Sequence, residues 1–478
     1  MRCLLTILCL FLLSRVFCQP CSCIKDYHFI KKHIETNHGG FNKKIKSPEE
    51  PAYKAFIQQL ESEISPLKDP KYCLLYLKKY IRYLQDHHSN ITGPSGNIVA
   101  ENDSAALAAF FNSPAFLQTE TLSPDSNYLA QLRKNDSFQS PEGIYYSTDS
   151  TYMVALIKSK TSYRDYAAVI LQSKTRLWKP GQVKFELKQV NDSLFDVLIA
   201  LRNHSWNAET ALIKNGILQL NNWKKEGLQV AVNPSIFSGP SLFSFKILDD
   251  KTTLITIRSF DAGLTNKLDS FYQRILPEIK KFPHLIIDIR DNGGGSDASY
   301  KKLMPLIYTN PFDDDVMEYF ATPDNIAAYK QYDSLLLLRN PGATAPFRYP
   351  IALMKKAPAF SFIGFGNGKP QKVQYSMNKG NPEKIAVVYN RNCASSCESF
   401  LFEVLQSKKS IMVGENSGGY TGYGNVMTIT TPCGNNLSWT TTVYREQWKY
   451  EFKGIPPRFP VPAGETDWIG YTKKLMEE

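Results

Sequence analysis

The chain has 478 residues, 43% of them hydrophobic and 21% charged, an ordinary globular composition that supports two or three cores and excludes a disordered or fibrous protein. Lys and Arg exceed Asp and Glu by 11 (56 − 45), yet the sequence holds no block of like charge and no basic helix interleaved with aromatics. A nucleic-acid partner is therefore not expected, and the dispersed excess reads as solvated surface.

The first residues, MRCLLTILCLFLLSRVFCQP, combine Arg2 with an apolar run from Leu4 to Leu13 that is too short to span a bilayer. We read residues 1–18 as a signal peptide, cleaved after Cys18 with Val16 and Cys18 at the recognition positions; Phe17 argues against a lipoprotein. The expected destination is the periplasm, the cell envelope or the exterior, with no membrane span in the mature chain. Six cysteines then remain, Cys21, Cys23 and Cys73 near the start and Cys393, Cys397 and Cys433 near the end. An even number in an exported chain permits disulfides, one within each group being the economical arrangement, with connectivity open. Neither group has the paired spacing of a zinc site.

Residues 19–111 read as a helical segment. PKYCLLYLKKYIRYLQDHHSN opens with Pro70 in a first turn and repeats Leu74, Leu77, Ile81 and Leu84 on one face, delivering Asp86, His87 and His88 to its end. Residues 112–244 alternate in strand fashion, as in Tyr152, Val154 and Leu156, and read as a small β domain without a recognisable PDZ signature. Residues 245–478 alternate strand and helix, TTLITI, then LTNKLDSFYQRILPEIKK, then LIIDI, a glycine loop and DASYKKLMPLI. After an irregular stretch from Asn310 to Lys379 come IAVVYN, RNCAS, SCESFLFEVLQSKK and SIMVG, and a hairpin from Val426 to Tyr444. The fold class expected is α/β with a largely parallel sheet.

Three chemistries compete for the loop DNGGGSD. A phosphate cradle fits GxGxxA at Gly293, Gly295 and Ala298, but no P-loop lysine follows. A nucleophile elbow at Ser296 needs a later histidine, and none follows it. An oxyanion loop remains. The second strand-turn-helix, VVYNRNCASSCESFLF, places Ser395 and Ser396 at a helix start, where free amides stabilise a developing oxyanion. Alone, such a pair is more often a helix cap. Cys393 and Cys397 are rival nucleophiles that oxidation would bridge instead.

Taken together, LIIDIRDNGGG, NRNCASSCESF and IMVGENSGGYTG resemble three ordered motifs of the carboxy-terminal-processing, or tail-specific, serine peptidases. The resemblance covers about the last half of the chain and implies a crotonase-like (ClpP/crotonase) core. It puts the nucleophile on Ser395, three residues before Glu398, and the oxyanion hole on Gly293, Gly294 and Ser396. The lysine base of the Ser/Lys branch is replaced by Tyr420 in SGGYTG, a poor base at neutral pH. The chain is closer to the tricorn-core branch, which takes its base from an N-terminal helical segment. LQDHHSNI then supplies His88, and YEFKGIPPRFPV supplies Glu451 as orienting acid. Where that branch has a serine before the histidine, this chain has His87; Asp86 orients the loop or stays solvated.

The expectation is an exported serine peptidase acting on protein or peptide substrates through an acyl-enzyme, with no metal or organic cofactor required. The competing reading is an inactive peptide- or lipid-binding relative of the same fold. No sequence feature indicates an oligomeric state.

Overall fold

The computed structural model describes residues 21–478 apart from 46, 95, 135–139, 215, 221–222, 228–241, 340–341 and 343. The expected signal segment lies outside these. Among the described residues no helix is long and apolar enough to cross a membrane.

The N-terminal segment packs helices Cys23–Asn37, Pro51–Ile64 and Cys73–Tyr83 against one another. Pro70 opens a 3-10 turn, capped by Asp69, that leads into the third helix, and Leu74, Leu77, Ile81 and Leu84 are all buried along one stripe. Past that helix Gln85 takes a positive φ of 52°, and the chain turns into a short strand, Asn90–Thr92. This strand pairs antiparallel with Asn436–Tyr444, Asn90 opposite Ser438. The pairing joins the two ends of the chain, as does the disulfide Cys21–Cys433, which crosses between the two cysteine groups. Cys23–Cys73 and Cys393–Cys397 are bridges within each group.

Eight successive antiparallel strands, from Gly143–Tyr146 to Trp223–Lys225, close into a barrel filled by Phe185, Leu187, Phe195 and Trp223. Closure leaves no free strand edge.

The α/β part is a six-stranded sheet in the order Phe243–Ile247, Thr252–Ile257, His284–Asp288, Lys384–Tyr389, Ser410–Gly414 and Phe459–Pro460. The first pair is antiparallel and the others are parallel. Both faces are covered, which is why LIID is apolar without alternation. Leu285 and Ile287 face the helices Thr265–Ile279 and Ser396–Val404, whereas Ile286 faces Met476 of the helix Trp468–Glu477.

Two expectations need correcting. The stretch Asn310 to Lys379 is not irregular; it holds the strand Met317–Ala321 and the helices Pro323–Arg339 and Arg348–Lys356. The longer helix buries Asn325, Tyr329 and Asp333 and leaves Leu335 and Leu338 exposed, so its polarity pattern conceals its period. DASYKKLMPLI is not one helix but two 3-10 turns and a short helix, Met304–Ile307. Pro305 lacks the N–H that a continuous helix would use.

Candidate active site

The two strand-turn-helix units lie on adjacent parallel strands, His284–Asp288 beside Lys384–Tyr389, so their loops meet at the same sheet edge. They are tied there by backbone and side chain. Ala394 N–H donates to Asn292 O (3.1 Å), and the Asp291 carboxylate accepts from the side-chain amides of Asn390 (2.9 Å) and Asn392 (2.6 Å). Gly294, at φ 87°, lies directly against the second loop. A Cβ there would meet Ala394 O at 2.4 Å and Ser396 N at 2.8 Å.

Ser395 sits between strand and helix with φ 56° and ψ −123°, a conformation that a non-glycine residue holds only when its surroundings impose it. Glu398 supplies part of that imposition. Its fully buried carboxylate accepts from the amides of Ser395 (3.1 Å), Gly419 (2.8 Å) and Tyr420 (2.7 Å) and from the Ser417 hydroxyl (2.5 Å). Burial raises its carboxyl above the ordinary glutamate range, with these four donors working against the rise. The same residue thus fixes the Ser395 turn and the SGGYTG loop. Cys393 and Cys397 bracket Ser395 and are bonded to each other, which removes both as thiol nucleophiles.

Ser396 N–H is one of the amides at a helix start with no intrahelical acceptor. Gly293 lines the cleft beside Ser395, but the Gly294 N–H donates to Asn292 Oδ1 (2.9 Å). The expected oxyanion role of Gly294 is therefore corrected. Its donor is taken, its glycine identity answers to close packing, and Gly293 is the loop amide on the cleft side.

His88 reaches the cleft from the other end of the chain. The cleft, about 520 Å³, is lined by His88, Gly293, Gly295, Arg391, Asn392, Ala394, Ser395 and Tyr420. The His88 backbone N–H donates to Asp86 Oδ1 (2.8 Å), and its ring stands edge-on to Tyr420 at 5.3 Å between centroids. Its Nδ1 is buried, which leaves Nε2 as the ring atom available to the cleft. Burial lowers the pKa of His88, Asp86 pulling the other way, so the imidazole is neutral at neutral pH.

Asp86 is not solvated. Its Oδ2 accepts from His38 Nε2 (2.8 Å), Ser89 Oγ (2.7 Å) and Thr440 Oγ1 (2.7 Å). His38 Nδ1 accepts from Gly40 N–H (3.0 Å), so the proton lies on Nε2 and the ring donates to Asp86. Burial alone would raise the Asp86 carboxyl, but these donors and the nearby histidines bring it well below the ordinary aspartate range.

His87 does not line the cleft. Its ring packs against Tyr420 (4.6 Å) and Phe452 (4.0 Å), and burial lowers its pKa while Asp86 opposes. Tyr420 does line it, with its phenol raised by burial and then by Glu398 and Glu451. Glu451 is buried beside the loop, Oε2 accepting from Thr421 N–H (2.9 Å) and Gly422 N–H (2.6 Å). Oε1 is buried without a partner, and among the described residues no hydrogen bond joins Glu451 to either histidine ring. Burial, then Asp86, pushes the Glu451 carboxyl up to about 8.

Residues 251–461 match the model of peptidase family S41. This region is a serine-peptidase domain. The matched segment, 211 of the 478 residues, contains both loops, Ser395 and Glu451, and marks the chain as a serine peptidase, a hydrolase. No curated protein matches the sequence. Among solved structures, mature CPAF is 15% identical over 95% of each chain with a TM-score of 0.49. The photosystem II D1 C-terminal processing protease is 10% identical over 92% of each chain, at 0.37. The tricorn protease is 11% identical over 95% of this chain and 36% of that one, at 0.38.

The sequence offered no sign of His38 or Asn292 as site residues, because both act through long-range or side-chain hydrogen bonds that no local pattern announces. Glu398 was legible as part of a motif, but its four partners were not.

Proposed function

We propose that the chain is an exported serine peptidase that hydrolyses peptide bonds of protein or peptide substrates through an acyl-enzyme on Ser395, on a crotonase-like core. The observation that carries the reading is that Ser395, in a strained turn at a helix start, and His88, from the opposite end of the chain, line one cleft. In this reading neutral His88 takes the Ser395 Oγ proton at Nε2 as Oγ attacks the carbonyl carbon. The Gly293 and Ser396 amides hold the resulting oxyanion. His88 then returns its proton to the leaving amine, and water repeats the sequence to release the acyl group.

Asp86 acts at one remove. It fixes the backbone of His88 and accepts from His38, so it positions the base. Glu451, protonated for most molecules at neutral pH, would hold the loop of Thr421 and Gly422 beneath Tyr420 and support the histidine pair. The raised phenol of Tyr420 supports the histidine-dependent, tricorn-core branch over a base at the Ser/Lys position. Export rests on the sequence of residues 1–18.

The test is labelling with a fluorophosphonate probe. Wild type should label, Ser395→Ala should not, and His88→Ala should label at a rate lower by about 10²–10⁴. A folded wild type that fails to label favours the non-catalytic binding relative; labelling retained in Ser395→Ala removes Ser395 as nucleophile.

A further inference from the structure

A second cavity, about 190 Å³, shares walls with the catalytic loops. Ser399 and Glu403, one and two turns along the helix that follows Ser395, form one side, and Asp297 of the glycine loop forms another. Asp297 lies beside the Ser396 side chain, so the cavity begins one residue from the nucleophile. Its volume is below the roughly 300 Å³ at which pockets for whole ligands begin, and it suits a single side chain.

The lining is acidic and unevenly neutralised. Glu403 is matched by Lys301 and accepts also from Tyr300 (2.9 Å) and Tyr375 (2.6 Å). Asp315 accepts the Glu446 and Gln447 amides (2.9 and 2.8 Å). Asp297 lies beside the Ser396 and Ser399 hydroxyls, and Asp314 accepts from the Asp315 N–H (2.9 Å); Lys301 acts on both from a distance, and among the described residues neither forms an ion pair. Lys369 also borders the cavity, from an exposed position as do Asp297 and Asp314.

A separate observation points to a ligand. Gln447 is 5% exposed and lines the cavity, and its side-chain amide has no hydrogen-bond partner among the described residues. The cavity is therefore where that amide finds a partner. Met317 and Phe402 add apolar wall against which a methylene stem can lie.

We propose that this cavity receives the side chain of the residue whose carbonyl Ser395 attacks, and that it selects lysine or arginine. Asp297 and Asp314 take the charge, and Gln447 Oε1 accepts a further N–H. The inference rests on the Ser395 reading above and adds the substrate class to it. Both aspartates are exposed at the cavity wall, so their carboxylates are accessible to an entering cation.

Matched fluorogenic peptide amides with arginine or norleucine before the scissile bond test this in wild type and Asp314→Asn. Wild type should favour arginine in kcat/KM by at least about tenfold, and Asp314→Asn should reduce that ratio by about tenfold. A wild-type ratio near one, or a ratio unmoved in the variant, overturns the proposal. The fluorescence of 4-aminobenzamidine titrated into Ser395→Ala reads the cavity without turnover. Saturable binding weakened by Asp314→Asn supports it, and no saturable binding overturns it. Peptide hydrolysis that depends on Ser395 but is indifferent to the arginine overturns the pocket and keeps the nucleophile. Hydrolysis or labelling that survives Ser395→Ala overturns the nucleophile, and the benzamidine titration still decides the pocket.

Discussion

Gly294 and Ala394 are packed backbone to backbone, close enough that a Cβ on Gly294 would lie 2.4 Å from the Ala394 carbonyl oxygen. The two loops therefore hold their relative position only while residue 294 is glycine. Gly294→Ala adds both that clash and a side chain at φ 87°. The expected outcome is a stability loss of about 1–3 kcal/mol and a fluorophosphonate labelling rate lower by 100-fold or more. Chemical denaturation and labelling kinetics measure the two separately.

The Cys393–Cys397 bridge closes a very short loop around Ser395, and Cys21–Cys433 joins residues 412 positions apart. On the chain-entropy account the long closure stabilises far more, about 5 kcal/mol against much less for the short one. Replacing Cys21 and Cys433 by serine should lower the melting temperature strongly and leave labelling of the still-folded fraction intact. Replacing Cys393 and Cys397 should do the reverse, a small melting shift with a large fall in labelling. Equal effects of the two replacements on labelling would show that the short bridge has no part in setting the Ser395 turn.

Asp86 is a buried carboxylate that joins His38, Ser89, Thr440 and the His88 backbone. Asp86→Ala leaves those donors unsatisfied and should cost about 3 kcal/mol or more. Asp86→Asn keeps shape and one acceptor, so it should fold while its labelling rate falls by about 10–100-fold through a loosened His88. Tm by calorimetry and labelling at fixed pH distinguish the two substitutions.

Titration gives two further outcomes. With the His88 pKa lowered, the acid limb of labelling should reach half-maximum below the ordinary histidine value of about 6.5. Glu451 has a folded pKa of about 8, above its unfolded value, so the folded state holds a proton that the unfolded chain releases. That contribution is fully present below the unfolded pKa, near 4.5, and is lost as pH rises through about 8. Glu451→Gln removes it, and its stability relative to wild type should climb across that window by up to about 1 kcal/mol per pH unit. Urea unfolding at a series of pH values reads this difference, and a flat difference would place the Glu451 proton elsewhere.

Much of this protein is local and therefore legible in one dimension. The apolar runs LIID and IAVVY mark strands covered on both faces, and Leu74, Leu77, Ile81 and Leu84 mark a helix stripe. The helix Pro323–Arg339 escaped because its buried positions are polar. The motif around Ser395 was readable for the same local reason as the strands, since a glycine-rich loop and a serine at a helix start recur at fixed offsets.

What the sequence determined by itself is the pair of strand-turn-helix units and the residue types at their tips, because those follow from spacing over a few residues. Only the tertiary structure decided which of them meet. The pairing of Asn90–Thr92 with Asn436–Tyr444 carries His88 across the chain to the cleft of Ser395, and one hydrogen bond from the Gly294 N–H to the Asn292 side chain turns Gly294 inward and leaves Gly293 at the cleft. Both depend on strand register and amide direction, which are properties of partners distant in sequence.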